Sequence, residues 1–162
     1  MELLLELSPF YSLGIGSASM NELFIRQKYE FSASHRLHVP ALSDERNREL
    51  FGKCNHPSGH GHNYTVEVSV RCAIDSSGHA LAVSRLDELV DDALISKLDH
   101  KHLNLDVPVF ATINPSVENI AMIAWEMLAP ALQSSGASLH QVTVWETEKT
   151  AATYRGPLQS AR

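Results

Sequence analysis

Cysteine is scarce in this chain, with only Cys54 and Cys72 among 162 residues. Two thiols cannot supply the disulfide framework of a small secreted domain, so a reduced, cytoplasmic setting is expected. Long apolar runs are missing as well. Leu3-Leu4-Leu5 is followed at once by Glu6, far short of a membrane span. Residues 1–19 hold no Lys or Arg, which excludes the positive region of a secretory signal. They read as an N-terminal extension, expected to be poorly ordered, ahead of a single domain over 20–162. Basic charge is in the minority: 13 Lys and Arg against 19 Asp and Glu give a formal net charge of −6. No basic stripe relieves it, so neither a nucleic acid nor a membrane is expected as a partner. No internal repeat and no low-complexity tract is visible. The HExxH pattern of common zinc proteases is absent.

What remains is an ordinary globular composition, 44% apolar and 20% charged, enough for one domain with a real core. Leu23 to His35 reads as a strand, with Phe24, Tyr29 and Phe31 favouring extended backbone. Ser43 to Leu50 is polar and fits a short helix or a loop. Asn63 to Ile74 is the clearest strand: Tyr64, Val66, Val68 and Val70 alternate with Thr65, Glu67, Ser69 and Arg71. Asp75-Ser76-Ser77-Gly78 signals a turn. A helix is expected from about Arg85 to Leu98, its stripe Leu86, Leu89, Val90, Ala93, Leu94 and Leu98, with Ser84 and Asp87 as a capping box. A second runs from about Val117 to Leu132 behind the cap Ser116. Gln141 to Thr147 forms a last strand, extended by Thr153-Tyr154-Arg155. The fold class is α+β.

The chemistry concentrates in histidines. On a strand, residues two apart share a face, so His60 and His62 can reach one metal ion if the strand runs back through Gly61. His35 ends a strand and can supply a third imidazole. Three imidazoles without an evident fourth protein ligand describe an open, catalytic zinc site. Cys72 shares the parity of Val66, Val68 and Val70 and reads as core, whereas Cys54 lies in a polar loop and invites a chemical role. Asp99-His100 follows the first long helix; such a pair is often plain surface, but beside zinc and a thiol it could relay a proton. Glu146 shares the parity of Val142 and Val144, which puts a carboxylate at the edge of the buried face, either reaching solvent or bound to something. Glu118, in the first turn of its helix, is favoured there by the dipole alone. His38, His56, His79, His102 and His140 default to solvated surface. Metal, thiol and Asp-His pair together favour isomerisation and elimination over peptide hydrolysis.

Five strings then stand in one order: Phe31-Ser32-Ala33-Ser34-His35, Cys54-Asn55-His56-Pro57-Ser58-Gly59-His60-Gly61-His62-Asn63-Tyr64, Leu98-Asp99-His100-Lys101-His102-Leu103-Asn104, Pro115-Ser116-Val117-Glu118-Asn119 and Trp145-Glu146-Thr147. Together they resemble the 6-pyruvoyltetrahydropterin synthase and 6-carboxytetrahydropterin synthase family over roughly Phe24 to Gly156. The resemblance implies the tunnelling fold: a four-stranded antiparallel sheet with two helices on one face, three sheets joining into a barrel. It also implies a homohexamer, a dimer of trimers with active sites at subunit interfaces. Carried over residue by residue, His35, His60 and His62 hold Zn2+ and Cys54 is the general base. Asp99 and His100 complete the proton transfer from a neighbouring subunit. Glu146 grips the pterin ring, with Ser116 and Glu118 in the same pocket; Mg2+ could accompany the triphosphate.

The implied substrate is 7,8-dihydroneopterin triphosphate. One branch yields 6-pyruvoyltetrahydropterin for tetrahydrobiopterin synthesis; the other releases acetaldehyde on the queuosine pathway. The five residues between Cys54 and His60 resemble the pyruvoyl branch. A catalytically silent pterin- or metal-binding homologue is the third reading, opposed by the presence of Cys54, Asp99 and His100 with the histidines. Three positions depart from the family pattern. Arg85 replaces an Asp or Asn and could alter an interface or the phosphate surroundings. Ser116 replaces a Thr but keeps the hydroxyl. His56 replaces an Asn and could perturb the acidity of Cys54.

Overall fold

The computed structural model describes residues 23–74 and 78–158. The N-terminal extension lies outside them, as do the first three residues of the expected turn at Asp75–Gly78. Strand β1 is Leu23–His35 and β2 is His60–Cys72. They pair antiparallel from Leu23↔Cys72 to His35↔His60 without a slip. Between them lies helix α1, Asp44–Phe51, followed by the 3₁₀ turn Gly52–Asn55. Ser43 caps α1 by accepting from the Arg46 N–H, so the polar stretch that fitted helix or loop is a helix.

Helix α2, Val83–Val90, passes through a π-helical turn at Asp91–Ile95 into α3, Ser96–Leu98. Its stripe of Leu86, Leu89, Val90, Ala93, Leu94 and Leu98 is buried as expected. The capping box is not. The helix starts earlier, with Ala82 as its cap and no side chain closing it, and the Ala82 carbonyl accepts from Arg85 and Leu86. Ser84 therefore lies inside the first turn, where its hydroxyl is not the cap. Strand β3, Lys101–His102, and helix α4, Leu103–Asp106, follow. Helix α5, Val117–Gln133, is capped by Ser116; β4, Ser138–Thr147, and β5, Thr150–Tyr154, complete the chain.

The sheet runs β3-β1-β2-β4-β5. Its four long strands are antiparallel neighbours, as the resemblance implies; the fifth, β3, adds two residues parallel to β1 at Ala33 and Ser34. One face packs under the helices through Phe31, Tyr64, Val66, Val68, Val142 and Val144, with Phe31 stacked on Tyr64 at 4.8 Å. The opposite face carries Lys28, Thr65, Glu67 and Trp145 and is largely polar, hence the clean alternation in the sequence. At one end of the packed face the apolar side chains give way to His35, His60, His62 and Glu146, all on the same parity as the core.

Candidate metal and pterin site

Strand β2 does continue through Gly61, so His60 and His62 share a face, and register sets His35 directly opposite His60. The three Nε2 atoms converge: His35 to His60 is 3.0 Å and His62 to His60 is 3.4 Å. Ligands about 2.0–2.1 Å from a tetrahedral metal stand roughly 3.3 Å apart, so this spacing fits one ion.

The tautomer of His35 supports that use. Its Nδ1 lies 2.8 Å from the Pro115 carbonyl, which can only accept, so Nδ1 carries the proton and Nε2 presents its lone pair. His35 is fully buried, and burial, more than any neighbour, pushes its pKa below the usual value. His60 is shifted the same way, first by burial and then by His62. Both imidazoles are thereby kept neutral and ready to ligate.

Two further groups flank the histidines. Cys54 Sγ groups with His35 and His60, and the Glu146 carboxylate with His35 and His62, each set having its ligand atoms within 4.8 Å of one another. Glu146 Oε1 is 3.6 Å from both His35 Nε2 and His62 Nε2. The thiol of Cys54 is raised, not lowered: burial is the main cause and the Glu146 charge adds to it. His56, expected to disturb this thiol, acts instead on His60.

The asparagines were missed. The chain leaving β1 at Arg36–Val39 has no strand partner among the described residues, and four side-chain amides take that place. Asn104 accepts from the Arg36 N–H and donates to its carbonyl. Asn55 donates to the Leu37 carbonyl, Asn114 accepts from His38, and Asn47 accepts from Val39 while donating back to it. Asn47 is fully buried. The Leu37 N–H donates to the Cys54 carbonyl at 2.7 Å, which ties the thiol's loop to the strand that ends in His35. In the sequence these asparagines look like turn formers, and nothing local separates a turn from a clamp.

The remaining site residues stand apart from the histidines. Asp99 accepts from the Ser32 N–H at 2.8 Å and from His100 Nδ1 at 2.7 Å, and its carboxyl is held low by the Ser32 contact first and His100 second. His100 adopts φ 57° and its side chain is 83% exposed. Among the described residues no hydrogen bond joins this pair to the histidine cluster. The Ser116 hydroxyl caps α5 through the Asn119 N–H, and Glu118 is exposed in its first turn. Arg85 is paired with Glu88 at 2.8 Å on an exposed face. Of the histidines expected at the surface, His38 hydrogen-bonds Asn55, His102 buries its Nδ1 with no partner among the described residues, and His140 lies 4.4 Å from the Phe24 ring.

The chain matches the family model described as 6-pyruvoyl tetrahydropterin synthase over residues 24–157. It belongs to that family. It is 44% identical to the 6-pyruvoyl tetrahydrobiopterin synthase of Drosophila melanogaster, over 83% of this chain and 80% of that one. Identity to the enzyme of the same name from Poecilia reticulata is 43%, over 82% and 90%. The structure of Caenorhabditis elegans 6-pyruvoyl tetrahydropterin synthase superposes with a TM-score of 0.78 at 36% identity, over 85% of this chain and 98% of that one. Membership in the 6-pyruvoyl tetrahydropterin synthase family spans the β1-to-β5 domain that carries the cluster. Among the described residues, no helix is long and apolar enough to cross a membrane.

Proposed function

We propose that this chain is a lyase that converts 7,8-dihydroneopterin triphosphate to 6-pyruvoyltetrahydropterin with loss of triphosphate. The observation that carries the reading is the convergence of three imidazoles beside a thiol and a carboxylate in a member of this family. His35, His60 and His62 would hold Zn2+. A zinc ion there would polarise the substrate's side-chain hydroxyls and, by its charge, favour the Cys54 thiolate.

The protein's own groups divide the remaining work. Cys54 takes a proton from the substrate side chain; its loop, tied to Leu37, fixes the distance to His35. Glu146 accepts two hydrogen bonds from the amino-pyrimidinone edge of the pterin. Asp99 orients His100 for the second proton transfer, and its exposure at the sheet edge suits delivery into a neighbouring subunit's site. Ser116 fixes the start of α5 and, through Pro115, the ring of His35; Glu118 lines the mouth of the pocket.

The assembly is a cytoplasmic homohexamer built from two trimers. Two features support closure of the sheets into a barrel. Over 23–31, β1 has no described partner on its outer edge, and β5 is the other edge of the sheet. Such edges are normally paired or protected. The polar sheet face would then line the barrel.

Zinc-loaded protein incubated with 7,8-dihydroneopterin triphosphate, with products identified by mass spectrometry, tests the reading. A pyruvoyl product with free triphosphate supports it. Acetaldehyde with a carboxy product would replace it with the queuosine-type activity, and no turnover would leave a silent scaffold.

A further inference from the structure

Beside the metal cluster lies a second concavity of about 610 Å³, bounded by the segment leaving β1, by α1, the 3₁₀ turn and the loop to β2. Its wall carries Arg36, Arg48, Lys53 and His56, a single carboxylate, Asp44, and finally His60. Three permanent cations thus stand in one hollow of a chain whose net charge is −6. Fields do not explain such a grouping: like charges brought together cost energy unless something anionic joins them.

The side chains are partly aimed already. Arg36 is anchored by Nε to the Asn55 carbonyl at 3.3 Å, and its Nη2 lies 3.4 Å from His38 Nδ1, leaving further guanidinium donors unused among the described residues. His56 Nδ1 accepts the Ser58 N–H at 3.2 Å, so its proton sits on Nε2 as a donor. Among the described residues, the Arg48 side chain is held by an exposed pair with Glu45, which a stronger anion can displace. His60 lines this hollow and also belongs to the histidine cluster, so the hollow is continuous with the metal site.

We propose that this hollow is the polyphosphate subsite, in which Arg36, Arg48, Lys53 and His56 bind the triphosphate tail of the substrate while its pterin end faces Glu146. The assignment rests on the proposed function for the identity of the tail. The cations hold phosphate oxygens by charge-assisted hydrogen bonds, and their charge favours triphosphate as the leaving group. The substrate reaches Cys54 from between the two ends. His56 adds a fourth donor.

The test separates subsite from reaction. Inorganic tripolyphosphate is titrated calorimetrically into the metal-loaded protein, and KM and kcat are measured with the pterin triphosphate. Lys53→Ala and Arg48→Ala should each weaken tripolyphosphate and raise KM about ten-fold, with a smaller change in kcat. His56→Asn should give a milder loss, and Lys53→Arg should restore most of the binding. The control is Arg46→Ala, which removes the same charge from α1 outside the hollow, where Arg46 pairs with Glu49. It should change neither quantity. Equal effects from Arg46 and Arg48 would reduce the site to a general field and overturn it. Variants that weaken tripolyphosphate but leave KM alone would show that the hollow takes polyphosphate from another source, overturning the substrate assignment. Turnover without tripolyphosphate binding sinks the subsite and spares the lyase reading; tripolyphosphate binding that needs Lys53, without turnover, does the reverse.

Discussion

Gly59 is the residue on which the metal cluster should depend most sharply while contributing no ligand. It precedes His60 with φ 69°, and a Cβ there would stand 2.7 Å from the His35 carbonyl oxygen and 3.0 Å from His102 Nε2. The left-handed backbone alone costs alanine about 1–2 kcal/mol. The 2.7 Å contact is with backbone, which cannot swing aside, and relieving it by bending angles adds on the order of 1–2 kcal/mol. Gly59→Ala should therefore lose about 3 kcal/mol, a fall in Tm of roughly 6–12 °C for a chain of this size. The movement lands on the His35–His60 pair, so zinc affinity should fall as well, by about ten-fold or more. Gly61→Ala is the matched control: its nearest contact, the Ala33 carbonyl, is at 3.4 Å and its backbone is ordinary strand. Differential scanning calorimetry and competition against a chromophoric chelator read both quantities. If Gly59→Ala melts with the parent protein and binds zinc equally, the proposed coupling between this turn and the cluster is wrong.

Other perturbations separate the roles assigned above. Cys54→Ala should keep its zinc by elemental analysis yet lose about 10²–10⁴-fold in kcat, whereas His60→Ala should lose the metal itself; retained activity in the first would remove Cys54 as the base. Asn47→Ala abolishes a buried amide that bonds Val39, Leu42 and Ser43. It should cost about 2–4 kcal/mol in urea denaturation, because backbone groups are left unpaired, and a cost below about 0.5 kcal/mol would refute the clamp. Metal-free protein should lose stability as pH falls below 6.5. His35 and His60 have folded-state pKa values beneath that ordinary value, so the unfolded chain binds the protons first. The urea midpoint measured from pH 7.5 to 5.5 should drop, and drop less in His35→Asn; a flat profile would contradict the shifts.

Much of this was legible because strand parity is a simple rule. Tyr64, Val66, Val68 and Val70 mark the packed face of β2, and extending that parity back two and four residues places His62 and His60 correctly. Glu146 follows from Val142 and Val144 in the same way. The amide clamps were not legible, because Asn47, Asn55, Asn104 and Asn114 act on a backbone segment distant in sequence, and only tertiary structure creates the unpaired groups they serve. The Ala82 start of α2 was hidden for a related reason. Burial of Leu86 and Leu89 holds that helix, so it tolerates a start that no side chain caps. The cationic hollow was invisible in net charge, since Arg36, Arg48 and Lys53 come from three different local structures and their effect is lost in the sum.

The raised thiol of Cys54 gives the strongest reason to treat metal, thiol and carboxylate as one electrostatic unit. A base of ordinary acidity in this loop would be partly ionised and exposed to oxidation whether or not the site was loaded. Burial and Glu146 hold it protonated instead. The same Glu146 carboxylate leans on His35 and His62 at 3.6 Å, so a cation bound by those imidazoles would offset its effect on Cys54. A pterin donating to Glu146 would spread that charge further. On this reasoning the thiolate becomes accessible when the metal binds and more so when the substrate follows, which confines most of its reactivity to the loaded site. Iodoacetamide labelling of Cys54 should accordingly be slow in metal-free protein and faster with zinc bound. Equal rates would mean that the ion and the thiol are not coupled.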